Sequence, residues 1–88
     1  MISHTTADFQ SCYEILSSHL RLLARKQYLL WKSNPFHPSL QFKKVGPKLW
    51  SCRVNAACRA LATPIPNGYV WIWIGSHDNY MKMIRSIY

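Results

Sequence analysis

The chain has 88 residues, enough for one domain, and a domain of that size buries only about 60% of the surface its unfolded form exposes. Eleven Lys and Arg against Asp8, Glu14 and Asp78 leave a net charge of +8. These values exclude a second domain and a deep substrate vault, and the charge points to a polyanion, nucleic acid first, or to an acidic protein as partner.

In chain order, residues 2–5 suit a short edge strand, and Thr5 or Thr6 can cap a helix that begins at Ala7 with Asp8 in its first turn. Phe9, Cys12, Tyr13 and Leu16 recur at helical spacing. Ser17-Ser18 interrupts and offers a fresh cap, after which Leu20, Leu23, Ala24, Leu30 and Trp31 continue the stripe until Asn34-Pro35 stops it. The pattern predicts a helical hairpin. Arg21, Arg25 and Lys32, with Lys26 beside them, read as a solvated face of its second helix.

From Leu40 the period changes from 3.6 to 2, so helices give way to a sheet. Leu40 and Phe42 alternate with Gln41 and Lys43, and Gly46-Pro47 marks a turn. Trp50, Cys52 and Val54 alternate with Ser51, Arg53 and Asn55, which turns Arg53 away from the Trp50 face. A tight connection at Asn55-Ala56-Ala57 leads to a strand over residues 58–62, and Asn67-Gly68 predicts a turn needing positive φ. Residues 69–74 read as a central strand, with Val70, Ile72 and Ile74 on one face and Tyr69, Trp71 and Trp73 on the other. A last helix is expected over residues 78–88, with Met81, Ile84 and Tyr88 on one side. The whole is one α+β domain over residues 1–88, ordered β-α-α-β-β-β with a short C-terminal helix, the hairpin packing on one face of a small, mostly antiparallel sheet.

Cys12, Cys52 and Cys58 are odd in number and form neither a CxxC pair nor a Cys/His set with zinc spacing, so no metal or other cofactor is expected. The longest apolar run, residues 69–74, is far short of the ~20 residues that span a bilayer. No basic stretch followed by an apolar core opens the chain, and the expectation is a soluble cytoplasmic protein with no membrane partner.

Lys43, Lys44, Lys48, Arg53 and Arg59 crowd into a stretch without a single acid. If the strands pair in sequence order, several of these cations share the sheet face that the hairpin leaves free, a surface suited to phosphates. Tyr69, Trp71 and Trp73 offer either a stacking surface for bases or core packing, and core is the commoner use in a small domain. His77 follows the last strand, beside Asp78 and three positions before Tyr80, where an imidazole can exchange protons near neutral pH. His4, His19 and His37 are scattered and read as ordinary.

These pieces, in this order, resemble the RelE/ParE superfamily of bacterial toxins from type II toxin-antitoxin systems. The likeness runs from Ile2 to about Tyr80. It is carried by the helical hairpin, Asn34-Pro35-Phe36-His37-Pro38-Ser39-Leu40, Phe42-Lys43-Lys44, Trp50-Ser51-Cys52-Arg53-Val54-Asn55, Arg59-Ala60-Leu61 and Ile74-Gly75-Ser76-His77-Asp78. The resemblance implies a toxin that enters the ribosome and cuts mRNA without a metal. On matching positions, Arg53 and Arg59 would hold the scissile phosphate, His77 with Tyr80 would support proton transfer, and Lys43 and Lys44 would hold RNA backbone; Lys48 joins them as a nucleic-acid contact by its place in the basic stretch. It also implies an acidic antitoxin as partner. The ParE branch implies an alternative, a DNA gyrase inhibitor that cuts nothing, and a degenerate toxin would only bind its antitoxin. Three departures stand out: Ser51 where some members carry Lys, Cys58 where Tyr or His usually precedes the arginine, and no match to the glutamate base of the YoeB branch.

Overall fold

The computed structural model describes residues 1–87. A strand β1 (Ile2–Thr5) leads into helices α1 (Ala7–Glu14) and α2 (Ser18–Ser33). A 3-10 turn (Pro38–Leu40) then delivers the chain to β2 (Lys43–Gly46), β3 (Leu49–Asn55), β4 (Cys58–Ile65), β5 (Gly68–Ser76) and α3 (His77–Ile87). Tyr88, expected on the apolar side of the last helix, lies outside the described residues.

The hairpin forms because two caps divide one apolar periodicity. Thr6 Oγ1 accepts the Phe9 backbone N–H at 3.1 Å and Ser17 Oγ accepts that of Leu20 at 3.2 Å, each cap contributing about 1 kcal/mol. Arg21 departs from the solvated face expected for it. Its Nη1 reaches back to donate to the carbonyls of Leu16 at 2.6 Å and Glu14 at 3.3 Å, giving the end of α1 the cation that its own last turn lacks.

The strands are ordered β1-β5-β4-β3-β2. β2 through β5 pair antiparallel in sequence order, and β1 adds in parallel to the outer edge of β5. The α+β layout and the hairpin on one sheet face hold, with β2 as a fifth, edge strand. The extended run expected from Leu40 begins three residues later. His37 Nδ1 accepts the Ser39 N–H at 3.2 Å and Pro38 opens a helical turn, so Leu40 is buried at its end and Gln41 leaves it at φ 43°.

The alternation read for residues 69–74 is also corrected. Leu61 pairs with Trp73 but the next residue, Ala62, pairs with Trp71, which leaves Ile72 as an extra residue in β5. Such a bulge shifts the side-chain phase by one. Tyr69, Trp71 and Ile74 therefore face the hairpin, while Ile72 and Trp73 face the other side. On the hairpin side, Trp31 is fully buried and makes edge-to-face contacts with Phe42, Tyr69 and Trp71 at centroid distances of 5.0 to 5.7 Å. On the other side, Val45, Leu61 and Tyr80 form a second cluster with Met81, Met83 and Ile84 of α3. The face expected to be open is therefore partly roofed by α3. No helix of the described residues is long and apolar enough to cross a membrane.

β1 comes so close to β5 that a Cβ at position 68 would fall within the Ile2 carbonyl. Asn67, in the turn before it, takes the positive φ (62°) that the Asn-Gly pair predicts. Gly68→Ala is expected to push β1 off the sheet and lower stability by about 1–3 kcal/mol in urea unfolding, the usual range for overpacking. A change within experimental error would show that β1 has room to move.

Candidate functional site

β3 and β4 bring Arg53 and Arg59 together, since the two residues are direct cross-strand partners and Gly75 of β5 completes the row. Directly opposed residues project from the same face, so two guanidinium groups share it. Like charges so placed repel, and only tertiary surroundings or a bound anion can offset that.

Arg59 is held from two sides. Its Nη2 donates to Gln41 Oε1 at 2.9 Å, and its guanidinium carbon lies 5.4 Å from the centroid of the Tyr80 ring. Its Nε and Nη1 are buried without an acceptor among the described residues. A guanidinium carries five donors in a planar fork, so much of Arg59's capacity is unused in a place where water does not reach it. Such a fork is complementary to a phosphate.

α3 sets the other side of the site. Ser76 Oγ accepts the Asn79 N–H at 3.1 Å, and the His77 backbone N–H donates to the Ala57 carbonyl at 2.9 Å, pinning the start of α3 to the β3–β4 turn. His77 is partly exposed, with its ring 5.9 Å from that of Tyr80. The ring of Tyr80 thus contacts both His77 and Arg59. Tyr80 itself is only 5% exposed, and its hydroxyl is paired with Ser51 Oγ at 3.3 Å, Ser51 being fully buried.

The lysines scatter. Lys43 pairs with Ser51 and so belongs to the arginine face, whereas Lys44 pairs with Trp50 and rises from the hairpin face. Lys48 is exposed in the β2–β3 turn, at the far end of β3 from Arg53. Two partners were missed by sequence reasoning. Ser51 carried a signal, since alternation sets it on the face of Arg53. Gln41 carried none, because it reaches Arg59 through a left-handed backbone at a turn's end.

No family model matches the chain, and no curated protein matches it in sequence. Solved structures do match it. A YoeB/ParE toxin from Agrobacterium tumefaciens superposes with a TM-score of 0.68 at 16% identity, over 88% of this chain and 99% of its own. A chain of the RelB-RelE antitoxin-toxin complex from Methanococcus jannaschii gives 0.73 at 11% identity, over 91% and 96%. Isolated RelE toxin from E. coli gives 0.64 at 13% identity, over 99% and 98%. The fold is that of the RelE and ParE toxins. On this RelE-like frame the strand arginines and the start of the last helix converge, while Cys58 faces the opposite way, into the hairpin core.

Burial pushes the Cys58 thiol up to about 11 and that of Cys52 to about 12, from an ordinary value of 9.0. For Cys52 the Arg59 charge offsets only part of the burial effect. Cys58 is thus a neutral thiol at physiological pH and no proton acceptor. Because folding raises both values, the stability they protect is full below pH 9 and declines as pH climbs toward 11 and 12, where the unfolded chain ionises first. Unfolding free energy is expected to fall steadily above pH 9, and at pH 8 the partly exposed Cys12 should alkylate well before Cys52 and Cys58. Rapid labelling of Cys58 in the folded chain would contradict its burial.

Proposed function

We propose that this chain is the toxin of a type II toxin-antitoxin pair and acts as a ribosome-dependent mRNA endoribonuclease. The observation that carries the reading is the direct cross-strand pairing of Arg53 and Arg59, both partly exposed, in a chain of net charge +8. The RelE-like fold supports it, as do neighbours solved with antitoxins, the RelB-RelE complex and the DinJ-YafQ complex of E. coli.

In the proposed reaction the ribose 2′ oxygen loses its proton to water and bonds to the adjacent phosphorus. The bond from phosphorus to the 5′ oxygen breaks, and that oxygen takes a proton from His77, leaving a 2′,3′-cyclic phosphate. Arg53 and Arg59 meet the extra negative charge of the phosphorane, where fixed cations lower the barrier without having to reorganise. His77 suits the acid role by position, partly exposed at the start of α3 beside the arginine row. Tyr80 acts by position and not by proton transfer: its ring backs Arg59 and its hydroxyl is engaged with Ser51. The sequence has no match to the glutamate base of the YoeB branch, which leaves the alignment of the 2′ oxygen to the ribosome. Lys43 extends the cationic face toward the RNA backbone, while Lys44 and Lys48 suit contacts with ribosomal RNA farther out. An acidic antitoxin complements the +8 chain.

Mapping mRNA 5′ ends in a translating extract tests the reading. Wild-type protein should generate new ends within translated frames. His77→Ala should reduce them by roughly 10² to 10⁴, the usual contribution of general acid catalysis. Arg59→Gln should abolish them, and Tyr80→Phe, which keeps the ring, should retain most activity. Intact mRNA together with blocked supercoiling by purified DNA gyrase would replace the nuclease reading with that of a gyrase inhibitor. Cleavage unaffected by His77→Ala would remove that residue from the mechanism.

A further inference from the structure

Asn34, Pro35, Phe36 and His37 form a closed turn, in which the His37 backbone N–H donates to the Asn34 carbonyl at 3.1 Å. Asn in the first place and Pro in the second are residues that such a turn favours, and Pro38 restricts the backbone just beyond it. The Asn34 N–H donates in turn to the Leu30 carbonyl at 2.7 Å, which anchors the turn to the end of α2. Phe36 stands at its tip, 68% exposed. A small domain needs its large apolar side chains for burial, yet this chain displays one on rigid backbone.

The ring has aromatic and cationic neighbours. Its centroid lies 5.9 Å from that of Phe42 and 6.5 Å from that of the partly exposed Trp50. Lys44 is the direct cross-strand partner of Trp50 and is exposed on the same face, beside the edge of the sheet. Lys48, also exposed, lies two residues before Trp50 in the β2–β3 turn. Neither lysine has a carboxylate near it in sequence, since Asp8 and Glu14 are in α1, Asp78 is in α3, and residues 15–77 contain no acid. Aromatic rings on a firm support beside uncompensated cations are the combination that holds single-stranded nucleic acid, the rings taking bases and the cations taking phosphates. The flat ring favours a base with its phosphate over an acidic peptide, whose carboxylates would meet the lysines alone.

We propose that the Phe36 turn is a docking site for single-stranded RNA, in which an unpaired base stacks on Phe36 against Trp50 while Lys44 and Lys48 hold the adjoining phosphates. Because the turn is already rigid, little conformational freedom is lost when the base arrives. The choice of RNA rests on the nuclease reading. The contact itself does not, for it is on the hairpin side of the sheet, away from Arg53 and Arg59, and needs neither ribosome nor cleavage.

A test is the binding of a fluorescent ~12-nucleotide oligouridylate, within the usual span of such sites, to the full chain carrying Arg53→Gln and Arg59→Gln, so that the arginine face contributes nothing. Saturable binding is expected. Phe36→Ala should weaken it roughly 5- to 100-fold, the usual worth of one stacked base, without changing the salt dependence, and Phe36→Trp should restore it. Lys44→Gln with Lys48→Gln should instead flatten the slope of log K against log salt by about 0.7 per lost phosphate contact. An abasic oligomer of the same charge should bind the Phe36 chain as weakly as oligouridylate binds Phe36→Ala. In the ¹⁵N-labelled chain with Phe36 in place, the Trp50 indole signal should move on titration and that of Trp73, on the far face, should not, a readout independent of whether Phe36→Ala folds. Equal affinity for the abasic oligomer, undiminished binding by folded Phe36→Ala, a still Trp50 signal, tighter binding of the deoxy oligomer, or equal binding of an acidic peptide would each overturn the proposal. Cleavage of mRNA lost while this binding persists would instead count against the nuclease reading alone.

Discussion

The bulge at Ile72 is the constraint on which the two sides of this protein depend. Strict alternation would send Trp71 and Trp73 to the same face, and one core would then have to house both indoles beside Trp31. The extra residue parts them. Trp71 joins the aromatic cluster under the hairpin, while Trp73 and Ile72 turn to the other face and give α3 an apolar bed. Trp73 also leans over Gly75, where any Cβ would collide with the indole, so the row formed by Arg53, Arg59 and Gly75 ends without a side chain. The approach to the arginines is in this way a product of how β5 is kinked.

α3 has a double role that follows from the same arrangement. Its apolar side, through Tyr80, Met81, Met83 and Ile84, covers a sheet face that would otherwise expose Leu61 and Val45. The residues that do this packing also place the ring of Tyr80 against Arg59. Ser51 makes the docking possible: a lysine at that position, as the family likeness would allow, has no room beside a buried Tyr80 hydroxyl. The serine is therefore fitted to the helix, and a departure that looked like a missing cation is explained by packing.

Local chemistry was legible where it decides structure locally. Thr6, Ser17 and Asn67 were readable because a cap or a positive-φ turn is determined by a few neighbouring residues. The hairpin stripe from Phe9 to Trp31 was readable because helical burial repeats along one element. The bulge was not, since it exists only in the pairing of β5 with β4, and no residue in the 69–74 run announces it. Gln41 was hidden for the same reason, as its contact with Arg59 spans eighteen positions and depends on a left-handed turn. Of the cationic cluster, alternation assigned Arg53 and Arg59 to one face correctly, but a run of adjacent lysines must split between faces, which is why Lys43 and Lys44 part company.

The arginine pair shows why a site of this kind is built into a sheet and not a loop. Two guanidinium groups in register repel, and on flexible backbone they would swing apart into water. Here β3 and β4 fix their origins, Tyr80 and Gln41 restrain Arg59, and burial denies water to its Nε and Nη1. The folded chain thus keeps a cost, the repulsion of two aligned cations, that an incoming anion would remove. Binding energy gained in that way is greatest for the group with the most negative charge on its oxygens. A phosphorane carries more of it than the phosphate diester from which it forms, so in the proposed reaction a pair held in this state would favour the reacting group over the resting one.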